Sequence, residues 1–128
     1  METLIIEKTS QTPSVICKDG YLELAGRSIP EDPKVFYRPI FNWIDQYIQN
    51  PTEETSIIIR IDLLNTASLK CILDMFIKLN KAFLNKKKMK IEWYYDSDDE
   101  DMYELGNDLK SIIEIPFDFR ENMLKIAN

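Results

Sequence analysis

Ile57-Ile58-Ile59-Arg60-Ile61-Asp62-Leu63-Leu64 runs straight into Asn65-Thr66-Ala67-Ser68 and then into Leu69, Ile72, Phe76, Leu79 and Phe83. The first stretch is rich in β-branched residues, and its opening half is apolar on both faces, the pattern of a strand in the middle of a sheet. Leu69 to Phe83 recur at alternating spacings of three and four, which makes one stripe of a helix that packs back on that sheet. Between the two, Asn65, Thr66 and Ser68 are residue types whose side-chain oxygens accept from the free N–H groups of a first helical turn. A central strand feeding a helix points to an α/β fold.

Toward the N-terminus the chain reads as short strands at Leu4-Ile5-Ile6, Ser14-Val15-Ile16-Cys17 and Tyr21-Leu22-Glu23-Leu24-Ala25. Asp19-Gly20 supplies the positive φ of a tight hairpin between the last two. Gly26-Arg27-Ser28-Ile29-Pro30 breaks the strand pattern, and Asp32-Pro33 offers an N-cap with proline at the first helical position. From Pro33 to about Tyr47 the apolar stripe is Phe36, Ile40, Trp43, Ile44 and Tyr47. Asn50-Pro51-Thr52 ends that helix.

Toward the C-terminus, Lys86, Lys87, Lys88 and Lys90 lie where the second helix ends, and cations there complement its dipole. Met89, Ile91, Trp93 and Tyr95 then alternate with Lys90, Glu92 and Tyr94 as a strand does. Ser97-Asp98-Asp99-Glu100 reads as a capping box with Ser97 at the N-cap, opening a third helix that runs to about Ile112 or Ile113. Ile115-Pro116-Phe117-Asp118-Phe119 is an edge strand or a closing loop. The expectation is a mixed sheet with N-terminal strands and a hairpin, packed by about three helices, as a single domain over residues 1–128.

Composition bounds the function classes. A chain of 128 residues with 45% hydrophobic content has one core. Its formal charge of -6 argues against a nucleic-acid partner, which needs a basic face. No apolar run reaches the ~20 residues of a membrane span, and the start lacks a secretory signal, so the cytoplasm is the expected location. Cys17 and Cys71 sit in apolar patterns that suit buried, reduced thiols.

There is no histidine, which excludes Ser-His-Asp and Cys-His catalysis and histidine-ligated metals. Gly20, Gly26 and Gly106 are the only glycines, so neither a dinucleotide loop nor a phosphate loop can be assembled. Asp96, Asp98, Asp99, Glu100, Asp101 and Glu104 form an acidic cluster. Aligned as an EF-hand loop from Asp96, it puts Asp101 where glycine is needed and Asn107 where the bidentate glutamate is needed. A capped, solvated helix start is the favoured reading; a metal-dependent enzyme using residues 96–104 is the alternative from another class, and no cofactor is expected.

The strand-to-helix junction has two readings. Capping alone accounts for Asn65, Thr66 and Ser68, yet a phosphoryl group there would also be stabilised by exposed N–H groups and the helix dipole. Gly26-Arg27-Ser28-Ile29-Pro30-Glu31-Asp32-Pro33, Phe36-Tyr37-Arg38-Pro39, Asn65-Thr66-Ala67-Ser68, and Trp93-Tyr94-Tyr95-Asp96 with Asp98-Asp99-Glu100-Asp101-Met102 resemble, in order and spacing, the SiaC-type regulatory phosphoprotein family. The resemblance implies a fold like that of STAS domains, the anti-sigma-factor antagonists, and a protein that is not an enzyme. It implies a partner-switching circuit in cyclic di-GMP signalling and biofilm regulation. There a dedicated kinase phosphorylates Thr66, a PP2C-type phosphatase restores it, and the unmodified form binds and activates a diguanylate cyclase. Asn65, Ala67 and Ser68 form the phosphate's surroundings, with Ser68 as secondary acceptor. An anti-sigma-factor antagonist that binds a switch kinase is the alternative within the class.

Overall fold

Two apolar rows cross the whole sheet. In the computed structural model, which describes residues 1–123, Leu4, Cys17, Leu22, Ile57, Ile91 and Phe117 stand side by side in successive strands, as do Ile6, Val15, Leu24, Ile59, Trp93 and Phe119. Residues 124–128 of the expected 1–128 domain lie outside the described part. The strands are β1 (Leu4–Ile6), β2 (Ser14–Lys18), β3 (Tyr21–Ser28), β4 (Glu54–Leu64), β5 (Lys88–Tyr95) and β6 (Phe117–Glu121), in that spatial order. The first three are antiparallel neighbours; β3 to β6 are parallel.

The helices α1 (Pro33–Tyr47), α2 (Thr66–Leu84) and α3 (Glu100–Lys110) connect the parallel strands in turn. Right-handed crossovers that always step the same way put all three on one face. The mixed α/β architecture with three helices is thus as expected, and β4 is interior. Among the described residues no helix covers the other face of the sheet. Ile5, Ile16, Glu23, Ile58, Glu92 and Asp118 form a row there. Arg60 stacks 3.9 Å from the Tyr94 ring, and Arg120 bonds Glu92 at 3.0 Å and Asp118 at 2.8 Å. The apolar-on-both-faces pattern of β4 therefore does not mean two helical layers: Ile58 is buried between Glu23 and Glu92 in the ladder.

Local chemistry explains most element ends. The hairpin turns at Asp19-Gly20, with Gly20 at φ +79°. Asp32 caps α1 through Val35 N–H at 3.2 Å, with Pro33 in the first turn. Several ends differ from the sequence reading: β4 already begins at Glu54, ahead of Ile57, and β6 spans Phe117–Glu121 in place of Ile115–Phe119. β3 does not stop at Ala25: Gly26, at φ +118°, carries the strand through a register shift that passes over Asp62, and pairing with β4 continues to Ser28. The N-cap of α3 is Asp99, which accepts from Met102 N–H at 3.1 Å, and not Ser97. α3 ends at Lys110 because Ile113 and Ile115 turn into the core ahead of Pro116, and the residue before a proline disfavours helix.

Gly106 shows how closely α3 approaches the sheet. A Cβ there would lie 2.7 Å from Phe119 Cε1 and from Cδ1 and Nε1 of Trp93, whose indole N–H donates to the Met102 carbonyl at 2.9 Å. Gly106→Ala must move the indole or lift the helix. We expect a loss of about 1–3 kcal/mol of stability on denaturant titration, despite alanine's better helix propensity. A variant as stable as the parent would contradict this packing.

Candidate functional site

The end of β4 delivers the chain to α2 through Asn65, whose backbone is extended at φ -93° and ψ 171°. Its Oδ1 accepts from Ser68 N–H at 2.8 Å and its carbonyl from Leu69 N–H at 3.0 Å. Its own N–H donates to the Ser28 carbonyl at 3.3 Å, tying the junction to the end of β3. Asn65 is the cap, so Thr66 is not needed for that task. Thr66 is the first residue of α2 and is exposed, as is Ala67.

Ser68 has a different environment. It is fully buried, and its hydroxyl accepts from Ser28 Oγ at 2.9 Å. With Ser28 donating to Ser68, the Tyr37 hydroxyl donates to Ser28, at 2.6 Å. Burial pushes the Tyr37 phenol up to about 12, so it remains neutral. This chain of three hydroxyls joins α1, β3 and the first turn of α2 beneath Thr66, and a satisfied buried network of this kind holds its members in one arrangement. The secondary acceptor candidate thus lies inside the protein. Sequence reading missed the network because its members come from three segments. The available signal was Tyr37, which shares a helical face with Ile40 and Ile44; a buried tyrosine hydroxyl needs a partner.

Thr66 lines one groove and is next in sequence to a residue of a second. One, of about 270 Å³, runs between α2 and α3 past Leu69, Leu73, Leu105 and Ile112. The other, of about 500 Å³, lies between α1 and α2 and begins at Ala67. Lys70, one turn along from Thr66, lines both.

The acidic segment is spread over structural tasks. Asp99 caps α3, Glu100 and Asp101 follow in its first turn, and Asp96 accepts from the Asn122 side-chain amide at 2.8 Å. Asp62, Asp96 and Asp98 share a cleft of about 550 Å³ with Arg60 at the ends of the parallel strands. Among the described residues no three Cys, Asp or Glu side chains come together as a group to hold a metal ion. Cys17 and Cys71 are both buried and free, and burial pushes the Cys17 thiol up to about 12. Among the described residues no helix is long and apolar enough to cross a membrane.

Comparison with known proteins bears on what this arrangement serves. The model of the SiaC family of regulatory phosphoproteins matches residues 6–122. An uncharacterized protein of Pseudomonas aeruginosa strain UCBPP-PA14 is 25% identical over 119 residues, which is 91% of this chain and 94% of that one. The crystal structure of apo-SiaC from Pseudomonas aeruginosa superposes with a TM-score of 0.87 at 24% identity, covering 94% of this chain and 99% of that one. A chain in the crystal structure of the diguanylate cyclase SiaD in complex with its activator SiaC, also from Pseudomonas aeruginosa, gives 0.86 at 24% identity, covering 93% and 99%. These superpositions establish a shared fold.

Proposed function

The chain belongs to the SiaC family of regulatory phosphoproteins, and from that premise we propose that it is a phosphorylation-controlled binding protein of the cytoplasm, not an enzyme. The whole chain acts as one unit. Its unmodified form binds and activates a diguanylate cyclase, as the similar SiaC of Pseudomonas aeruginosa is the activator of SiaD. A dedicated kinase phosphorylates Thr66 and so ends binding, and a PP2C-type phosphatase reverses the modification.

The observation that carries the reading is the contrast between two hydroxyls in one helical turn. Thr66 is exposed with its cap function taken over by Asn65, whereas Ser68 is buried and bonded to Ser28. A phosphoryl group on Thr66 adds ≈ −1.5 to −2 charge at the positive end of the α2 dipole, so the folded state accommodates it. A partner surface that had met a neutral hydroxyl does not, because a buried dianion without a cation opposite costs heavily. Intact mass of the protein from its own cells, with the adduct mapped, tests this: we expect a single phosphoryl adduct at Thr66. An adduct at Ser28 or Ser68, or none under any growth condition, would contradict it.

A further inference from the structure

We propose that the groove between the first halves of α1 and α2 receives an acidic, amphipathic segment of a protein partner, and that a phosphoryl group on Thr66 competes with that segment for Lys70. The second half of this inference rests on the function proposed above; the first stands without it.

The groove has an apolar floor that includes Phe41 and Cys71, and Lys34, Arg38 and Lys70 stand along it. Among the described residues none of these three cations makes an ion pair, although the protein as a whole carries a charge of -6. Lys34 and Arg38 are one turn apart on α1, where like charges repel and cost helix stability. Two carboxylates line the same groove, Asp74 one turn beyond Lys70 and Asp32 at the α1 N-cap, so the cations exceed them by one, and among the described residues no ion pair joins either carboxylate to the three cations. Lys34 and Lys70 are both near enough to the Cys71 thiol to lower its proton affinity, against burial and Asp74, which raise it. The far end of the helix pair is closed by Lys78, which bonds Asp45 at 2.7 Å and lies 5.7 Å from the Phe41 ring. The open end is at Ala67, beside Thr66.

Carboxylates complement the three free cations, and apolar side chains complement the floor; an amphipathic acidic segment supplies both at helical spacing. Thr66 and Lys70 are four residues apart on one helix face, so a phosphoryl group on Thr66 lies within reach of the Lys70 ammonium. It would take the cation nearest the open end and set its own charge against the incoming carboxylates.

The test uses a synthetic helical peptide of glutamate and leucine at i, i+3, i+4 spacing, and a counterpart with glutamine for glutamate. Both are titrated into the ¹⁵N-labelled full chain while amide shifts are followed. The glutamate peptide is expected to shift Lys34, Arg38, Lys70 and Cys71. Binding should weaken by about ten-fold with the glutamine peptide, and by about ten-fold in the Lys34→Gln, Arg38→Gln, Lys70→Gln triple variant, the sum expected of three exposed ion pairs. Protein carrying phosphothreonine at 66 should lose binding by a comparable factor. No binding, equal binding by the triple variant, or shifts confined to Leu105 and Ile112 or to the open sheet face would overturn the groove. Loss in the triple variant with full binding by the phosphorylated protein would keep the groove and overturn the competition for Lys70, while the switch itself stands or falls with cyclase binding by the phosphorylated protein.

Discussion

Phe76→Ala should lower the unfolding free energy by about 3–5 kcal/mol, the cost of removing a fully buried aromatic ring. Phe76 has no exposed surface and sits where α2 meets the sheet. Its ring meets Trp93 of β5 edge-on at 6.5 Å and Phe117 of β6 edge-on at 5.8 Å. Each edge-to-face pair adds to the transfer term. Little can collapse into the space, because its neighbours are large rings already fixed: the Trp93 N–H is held by the Met102 carbonyl. A shift in the urea midpoint with an unchanged slope would show that the loss is one of stability. A loss below about 1 kcal/mol would contradict the register of α2 on the sheet.

That register was legible in the sequence because the apolar stripe of α2 is long and regular. Even so, the face is centred elsewhere than the spacing of leucines and phenylalanines implied: Leu69 and Phe83 are only half-buried, while Cys71, Met75 and Ala82 join the core. The same holds for α1, where the fully buried Tyr37 replaces the half-buried Phe36. Signals carried by adjacent residues, Asp19-Gly20 and Asp32-Pro33, gave the right turn and helix start, since their physics is local. The misplaced ends have long-range causes. β3 continues past Gly26 because β4 pairs with it, and the chain from Asp96 to Asp99 forms a turn, closed by Asp99 N–H on the Asp96 carbonyl at 2.9 Å, before α3 begins. Strand β6 gains its place through a backbone bond from Ile91 N–H to the Pro116 carbonyl at 2.9 Å, a pairing that no local pattern announces.

At the site, the position of Thr66 between strand and helix was readable from residue order, and its significance came from resemblance to a family. The buried hydroxyls of Ser28, Tyr37 and Ser68 and the grooves flanking α2 were not readable, because each is assembled from distant segments. One consequence concerns Ser68. A sequence treats Thr66 and Ser68 as alternative hydroxyls two positions apart, whereas the helix turns one outward and the other into the core.

The switch itself should produce the largest functional effect. Thr66→Ala keeps the fold because Asn65, not Thr66, supplies the cap, and substitution at an exposed site away from such features changes stability by about 0.5 kcal/mol or less. It removes the only group a kinase can modify at that position and leaves a partner surface that accepts a small neutral side chain. Thr66→Asp, and phosphothreonine more strongly, place negative charge in the α2–α3 groove that Thr66 lines and one residue from the α1–α2 groove at Ala67. Charge set unpaired into an interface costs several kcal/mol, so affinity should fall by about a hundred-fold or more. The direct measurement is titration of the purified diguanylate cyclase from the same organism with the unmodified, Thr66→Ala and Thr66-phosphorylated proteins, each confirmed folded by circular dichroism. The first two are expected to bind alike and raise cyclase activity, and the phosphorylated form to do neither; equal affinity across all three would contradict the switch and leave Thr66 as an ordinary exposed residue of a helix first turn.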